Sequence, residues 1–215
     1  MTDRKKRGII FILTGAVLVI LALSLFIWNQ QDSRRAGRES ARILEQLEET
    51  ESDNGQDSEE NRLPDPYSDE MNTITLDGNV YIGMIAIPSL ELELPVMKQW
   101  SYPNLKIAPC RYSGAVNTGN LVIAAHNYNS HFGRLNQLSP GDQILFTDVD
   151  GITTVYSVEN MQVISPTEVG KMTSGECDLT LFTCTYGGQA RYTVRCVKRV
   201  LPRSRKNEDG ISEKA

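Results

Sequence analysis

The stretch "DLTLFTCTYGGQARYTVRC", residues 178–196, decides how the chain is read. Its first part is rich in β-branched and aromatic residues, as strands are, and ends on Cys184. A polar, glycine-containing loop, "TYGGQA" (185–190), follows, and a second strand-like run begins at Arg191. With that loop the two runs form an antiparallel hairpin in which Cys184 and Arg191 face each other. Directly paired residues lie about 4.5–5.5 Å apart and point to the same side of the sheet. Arg195 shares that side but lies roughly 13 Å farther from the turn. Arg191 is therefore the cation beside the thiol. A guanidinium there favours thiolate over thiol and offers donors to an oxyanion. The residue types alone leave four readings of Cys184 open: nucleophile, metal ligand, half of a disulfide, or small hydrophobe.

Outward from this hairpin, short strand-like runs recur. "YIGMIAIP" closes at Pro88, "LELELPV" (90–96) alternates apolar and acidic, and "NLVIAA" (120–125) is apolar between polar flanks. "QILFTDVDGITTVYSVENMQVI" reads as two strands turning near Asp150–Gly151. "HFGRLNQL" has room for a helical turn or two, and "SPGD" (139–142) is a turn by composition. Six to eight short strands with little helix predict an all-β barrel or sandwich.

Only two histidines exist, His126 and His131. His126 ends the strand-like run 120–125 and enters a polar loop. A side chain there projects over a barrel rim, where imidazole pairs with a thiol in nucleophilic catalysis. The chain has no Cys-x-x-Cys, so no metal is predicted. Cys110, Cys177 and Cys196 leave room for one disulfide, with Cys184 the odd thiol. The formal net charge of −5 gives no general basis for nucleic-acid binding.

The N-terminus carries a different signal. "RKKR" (4–7) precedes 21 uncharged residues, "GIIFILTGAVLVILALSLFIW" (8–28). At 1.5 Å per residue that run spans roughly 30 Å, the apolar thickness of a bilayer. Basic flanks prefer the cytoplasmic side, so residues 1–7 are expected inside and everything after Trp28 outside. The run is longer than a signal-peptide core and ends in bulky residues, which favours an uncleaved anchor. Residues 29–72 read as an extracellular linker. It contains a short helix over 39–50, from the spacing of Ile43, Leu44 and Leu47, and an acidic, disordered portion. The folded domain is expected over 73–202, with a frayed tail at 203–215.

In "TLFTC" (180–184), Arg191 and "NLVIAAH" ending at His126, the chain resembles the sortases, membrane-anchored cysteine transpeptidases of Gram-positive surfaces. "LSPGDQILF" and "GMIAIPSLELELPV" are similar to family segments as well, so the resemblance covers about residues 80–200. It implies a closed eight-stranded β-barrel with short helices. It implies that Cys184 attacks a Thr–Gly-type bond in an LPxTG-like C-terminal sorting signal, forming a thioacyl enzyme. His126 protonates the departing amine and Arg191 holds the substrate and oxyanion, with no cofactor. Thr183 matches a family threonine and shapes the binding groove. The implied partners are surface proteins bearing sorting signals and an amine of a cell-wall precursor. Many relatives have Gly before the histidine, where this chain has Ala125.

Two alternatives stay beside that reading. Asp65-Pro66-Tyr67 has the composition of the lid of pilin-polymerising sortases, in which Asp65 would pair with Arg191 and Tyr67 cover Cys184; otherwise the prolines stiffen the linker. A catalytically inactive, anchored peptide-binding barrel is the third reading. Between the last two hairpins, "SPTEVGKMTSGEC" leaves no room for a long specificity helix, and Glu168 and Glu176 are too sparse for a calcium site.

Overall fold

The computed structural model describes residues 3–53, 70–173 and 177–199. Among these residues nine strands form one sheet. In chain order they are β1 (Ile74–Leu76), β2 (Asn79–Ile87), β3 (Leu92–Met97), β4 (Cys110–Ser113), β5 (Leu121–Ala124), β6 (Gln143–Asp148), β7 (Thr153–Ile164), β8 (Leu179–Cys184) and β9 (Arg191–Lys198). The order of pairing is β2-β3-β4-β5-β8-β9-β7-β6, and β6 returns to β2. The expected eight-stranded ring is therefore closed. β1 is an addition: it pairs with the first part of β2, along the edge where β6 pairs with the second part.

Closure depends on Gly83. Its φ is +143°, and a Cβ there would lie 2.1 Å from the Thr147 carbonyl oxygen of β6. The pairing of β2 with β3 also shifts register between Tyr81 and Gly83. A bulge at glycine lets the strand bend into both neighbours at close approach.

Alternation along each strand separates two cores. Ile85, Ile87, Leu94, Leu121, Ile123, Phe132, Phe146, Leu181 and Val194 fill the barrel. Met97, Val122, Ala124 and Phe182 point outward into a second core. That core is covered by Leu105 of α2 (Tyr102–Leu105), Met172 of α3 (Val169–Thr173), and Ile43 and Leu47 of α1 (Asp3–Asp53). "HFGRLNQL" forms the 3₁₀ segment Phe132–Gln137, and the turn at Asp150–Gly151 joins β6 to β7 as expected. Among the described residues the β7–β8 connection contains the five-residue α3.

α1 departs from the sequence reading. The short helix expected over 39–50 is part of one helix, Asp3–Asp53, and its later half is docked rather than solvated. Ala36, Ser40, Ile43 and Leu47 are buried, spaced four, three and four residues apart, so they form one stripe. Arg42 adds an ion pair of 2.5 Å to Asp77 in the β1–β2 turn. Two of the four stripe residues, Ala36 and Ser40, carry too little apolar signal to read as a packing face.

Among the described residues no helix is long and apolar enough to cross a membrane. The described side chains of residues 11–25 are all exposed, a segment shorter than the ~20 residues a span needs. The whole apolar run 8–28 nevertheless lies within α1. Asp65, Tyr67 and Glu176 lie outside the described residues.

Candidate active site

The site begins with register. In the β8–β9 hairpin the last pair before the loop is Cys184↔Arg191, as the sequence reading expects. The loop is pinned shut by a threonine. Thr185 N donates to the Ala190 carbonyl at 2.9 Å, and Ala190 N donates to Thr185 Oγ1 at 3.0 Å. Gly187 and Gly188 hold φ of +80° and +71°, where a side chain would be strained. Arg191 Nη1 donates to the carbonyls of Gly188 and Ala190, both at 3.2 Å, so its guanidinium folds back over the loop beside Cys184.

On its other side β8 runs parallel to β5, with Leu121↔Leu179 through Ala124↔Phe182 in register. Ala125 N continues the ladder by donating to the Phe182 carbonyl at 3.1 Å. The ladder ends there, because the Ala125 carbonyl accepts from the Thr183 side chain, and His126 follows directly, next to the end of β8 that carries Cys184. Leu121, Ile123, Leu179 and Leu181 face the barrel interior, while Val122, Ala124 and Phe182 face out. Alternation then carries Cys184 and Arg191 to the outer face, on two neighbouring strands.

Thr183, between Phe182 and Cys184, is buried and donates from Oγ1 to the Ala125 carbonyl at 2.9 Å. It also lines a cavity of about 600 Å³ that opens beside Cys184. Asn127, Tyr128, Tyr186, Tyr192 and Gln30 of α1 line the same cavity. Arg191 flanks the thiol by register, and neither it nor His126 is among the lining residues. Gln30 and Tyr128 escaped the sequence reading. Gln30 lies more than 150 residues from the thiol in sequence, and no local pattern marks it.

The chemistry of the four cysteines differs by environment. All are free thiols, so the disulfide left open among Cys110, Cys177 and Cys196 is not formed. Burial pushes Cys110 up to about 12 and Cys196 higher still. Burial, then the Glu159 carboxylate that accepts its S–H, pushes Cys177 up. These three are poor thiolates. Cys184 stands half-exposed at the barrel rim with an arginine across the hairpin.

Arg195 has another task. It is buried, and Nη1 donates to Thr180 Oγ1 at 2.8 Å and to the Met172 carbonyl at 3.1 Å. Nη2 donates to the Lys171 carbonyl. It fastens α3 to the barrel wall and is committed away from the thiol. Among the described residues no cluster of three or more His, Cys, Asp or Glu side chains suits a metal ion. Glu168 is paired with Lys171 at 2.5 Å.

Comparison with known proteins gives a consistent result. The family model for the Sortase domain matches residues 85–199. Over 190 residues the chain is 27% identical to Sortase A of Listeria monocytogenes serovar 1/2a, covering 84% of each chain. Sortase A from Corynebacterium diphtheriae is similar in structure, with a TM-score of 0.53 and 25% identity, over 59% of this chain and 64% of that one. Sortase C from Clostridium perfringens SM101 has a TM-score of 0.50 and 25% identity, over 76% of this chain and 91% of that one.

Proposed function

The chain belongs to the sortase family, and from that membership we propose that it is a cysteine transpeptidase that joins surface proteins to a cell-wall amine. The observation that supports this reading is the pairing of Cys184 with Arg191 at the end of the β8–β9 hairpin, with Ala125, the residue before His126, hydrogen-bonded to Phe182 and Thr183 of β8. Cys184 Sγ attacks the carbonyl carbon of the Thr–Gly bond in an LPxTG-like signal as its proton passes to His126. The carbonyl π electrons move onto oxygen, and the Arg191 guanidinium donates to that oxyanion or the adjoining substrate backbone. Collapse expels the glycine amine, which takes a proton from His126, and leaves a thioacyl enzyme. An acceptor amine then attacks the thioester, His126 removes its proton, and Cys184 leaves as the thiol. Thr183 shapes the cavity in which the threonine end of the signal sits.

The helical run 8–28 serves as the anchor, with the basic residues 4–7 inside and the barrel outside. The uncharged sequence and the exposed apolar side chains over 11–25 support this. An anchored enzyme meets a precursor that is itself held at the membrane. A pilin polymerase would run the same steps with a lysine amine as acceptor.

The test is a mass measurement. Incubation with LPxTG peptides randomised at the x position is expected to add an acyl group to Cys184, and Cys184→Ala to add none. Absence of both adduct and cleavage across the library, with equal peptide binding by Cys184→Ala, overturns the reading in favour of a binding barrel.

A further inference from the structure

The loop that begins at His126 is packed against α1. A Cβ on Gly37 of α1 would lie 3.0 Å from the Ser130 Cβ, so the Ser130 side chain packs close against the helix at its glycine. One turn on, the Ser40 hydroxyl is buried, 3.1 Å from the Ile107 carbonyl and 3.5 Å from His131 Nε2. The carbonyl can only accept, so the hydroxyl proton goes to Ile107. The Nε2–H of His131 must then be the donor to Ser40. This leaves Nδ1 as a bare lone pair, and Nδ1 is buried with no hydrogen-bond partner among the described residues. Adding a proton there would bury a charge. Burial first, then the nearby His126, push His131 down to about 4, so the ring is neutral at neutral pH.

From His131 the contacts lead to the site. Its ring lies 5.6 Å from that of Tyr128, which stacks on His126 at 4.6 Å and 20°. The backbone between them is tied: Phe132 N donates to the His126 carbonyl at 3.1 Å, and His131 N and Gly133 N both donate to the Tyr128 carbonyl at 2.9 Å. A Cβ on Gly133 would lie 2.5 Å from the Asn127 carbonyl oxygen. The loop is thus a compact unit that translates the position of α1 into the position of His126.

We propose that Ser40 and His131 are positioning residues for His126, acting through Tyr128, so that docking of α1 on the barrel is a condition for full catalytic rate. The proposal rests on the reading of His126 as the proton-transfer group. A small misplacement of such a group is enough to cost about a hundredfold in rate. His131 supplies a fixed, uncharged edge behind Tyr128 that does not repel His126 when His126 carries a proton.

The experiment uses the full chain in detergent micelles, with Ser40→Ala, His131→Phe, His131→Gln, His126→Ala and, as a core control at the far end of the 3₁₀ segment Phe132–Gln137, Leu138→Ala. The probe is the x-randomised LPxTG peptide mixture, with the Cys184 adduct followed by mass spectrometry against peptide concentration. A parallel measurement records the imidazole ¹⁵N resonances of His126. Ser40→Ala and His131→Phe are expected to lower the maximal rate roughly tenfold at an unchanged half-saturating concentration, and to shift the His126 resonances. His131→Gln keeps an N–H donor for Ser40 and is expected to restore most of the rate. Leu138→Ala is expected to leave the His126 resonances in place.

If Ser40→Ala and His131→Phe keep the wild-type rate and resonances while His126→Ala loses the rate, the positioning role is overturned and the transpeptidase reading stands. If His126→Ala itself reacts at the wild-type rate, the assignment of His126 fails and the positioning role falls with it. If wild type forms no adduct, the resonances decide whether α1 sets His126: unshifted signals in both variants overturn it.

Discussion

The Thr183 hydroxyl donates to the Ala125 carbonyl at 2.9 Å, and each of these residues directly precedes a proposed catalytic one, Cys184 and His126. The bond spans β8 and the end of β5, where the regular ladder runs out. Thr183→Val keeps the shape and removes the donor, leaving a buried carbonyl short of a partner. It is expected to cost about 1–3 kcal/mol of stability, read as a lower denaturation midpoint, and to slow adduct formation. Thr183→Ser keeps the hydroxyl and is expected to retain most of both.

Arg191 and Arg195 lie on one strand face but are expected to fail in different ways. Replacing Arg191 with Ala removes the proposed oxyanion donors and is expected to lower kcat by roughly 10²–10³ with little change in melting temperature. Lysine lacks the planar fork and should recover only part of the loss. Arg195→Met strips charged hydrogen bonds from Met172, Lys171 and Thr180. It is expected to cost about 2–3 kcal/mol of stability, seen as a thermal shift, while the folded fraction keeps its turnover.

His131 gives stability a pH dependence. Its folded pKa, about 4, lies below the ordinary 6.5, so the unfolded chain binds the proton more readily. Stability from this group is present above 6.5 and is lost as pH falls from 6.5 to about 4, below which the loss levels off. The total is of order 3 kcal/mol. Denaturant titrations across that window should show the slope in wild type and a flatter one in His131→Gln.

Gly83→Ala tests closure of the ring. The new Cβ would meet the Thr147 backbone oxygen at 2.1 Å, and backbone on the facing strand yields little. The substitution is expected to destabilise the barrel by about 3 kcal/mol or more, measured by denaturation. Gly141→Ala, with nothing within 4 Å of its Cβ but a φ of +97°, should cost only backbone strain of ~1–2 kcal/mol.

The hairpin and its cation were legible because loop length fixes register and alternation fixes face. Strand-like runs and a turn at Asp150–Gly151 sufficed for an all-β barrel or sandwich, and the family resemblance supplied the closed ring of eight. β1 was missed although Asp77–Gly78 is as good a hairpin signal, with φ of +48° and +78°. Only three residues precede the turn on that strand, too few for a period to show. The docked half of α1 was hidden for another reason. Its stripe mixes alanine and serine with leucine and isoleucine, and a face made for close approach looks polar by composition. His131 was counted as an imidazole, but nothing in its neighbours along the chain marks it as buried.

Gln30 lines the cavity beside Cys184 and stands two residues beyond Trp28, where the apolar run ends. In a helix two residues rise about 3 Å. With α1 anchored as proposed, the helix acts as a gauge of height, and the reaction is held at the level of the lipid headgroups. A sorting signal reaches that plane when its own hydrophobic tail stops at the same depth. The distance between signal and tail in a precursor is then a matter of vertical alignment, and inserting a few spacer residues there would lift the scissile bond past the thiol.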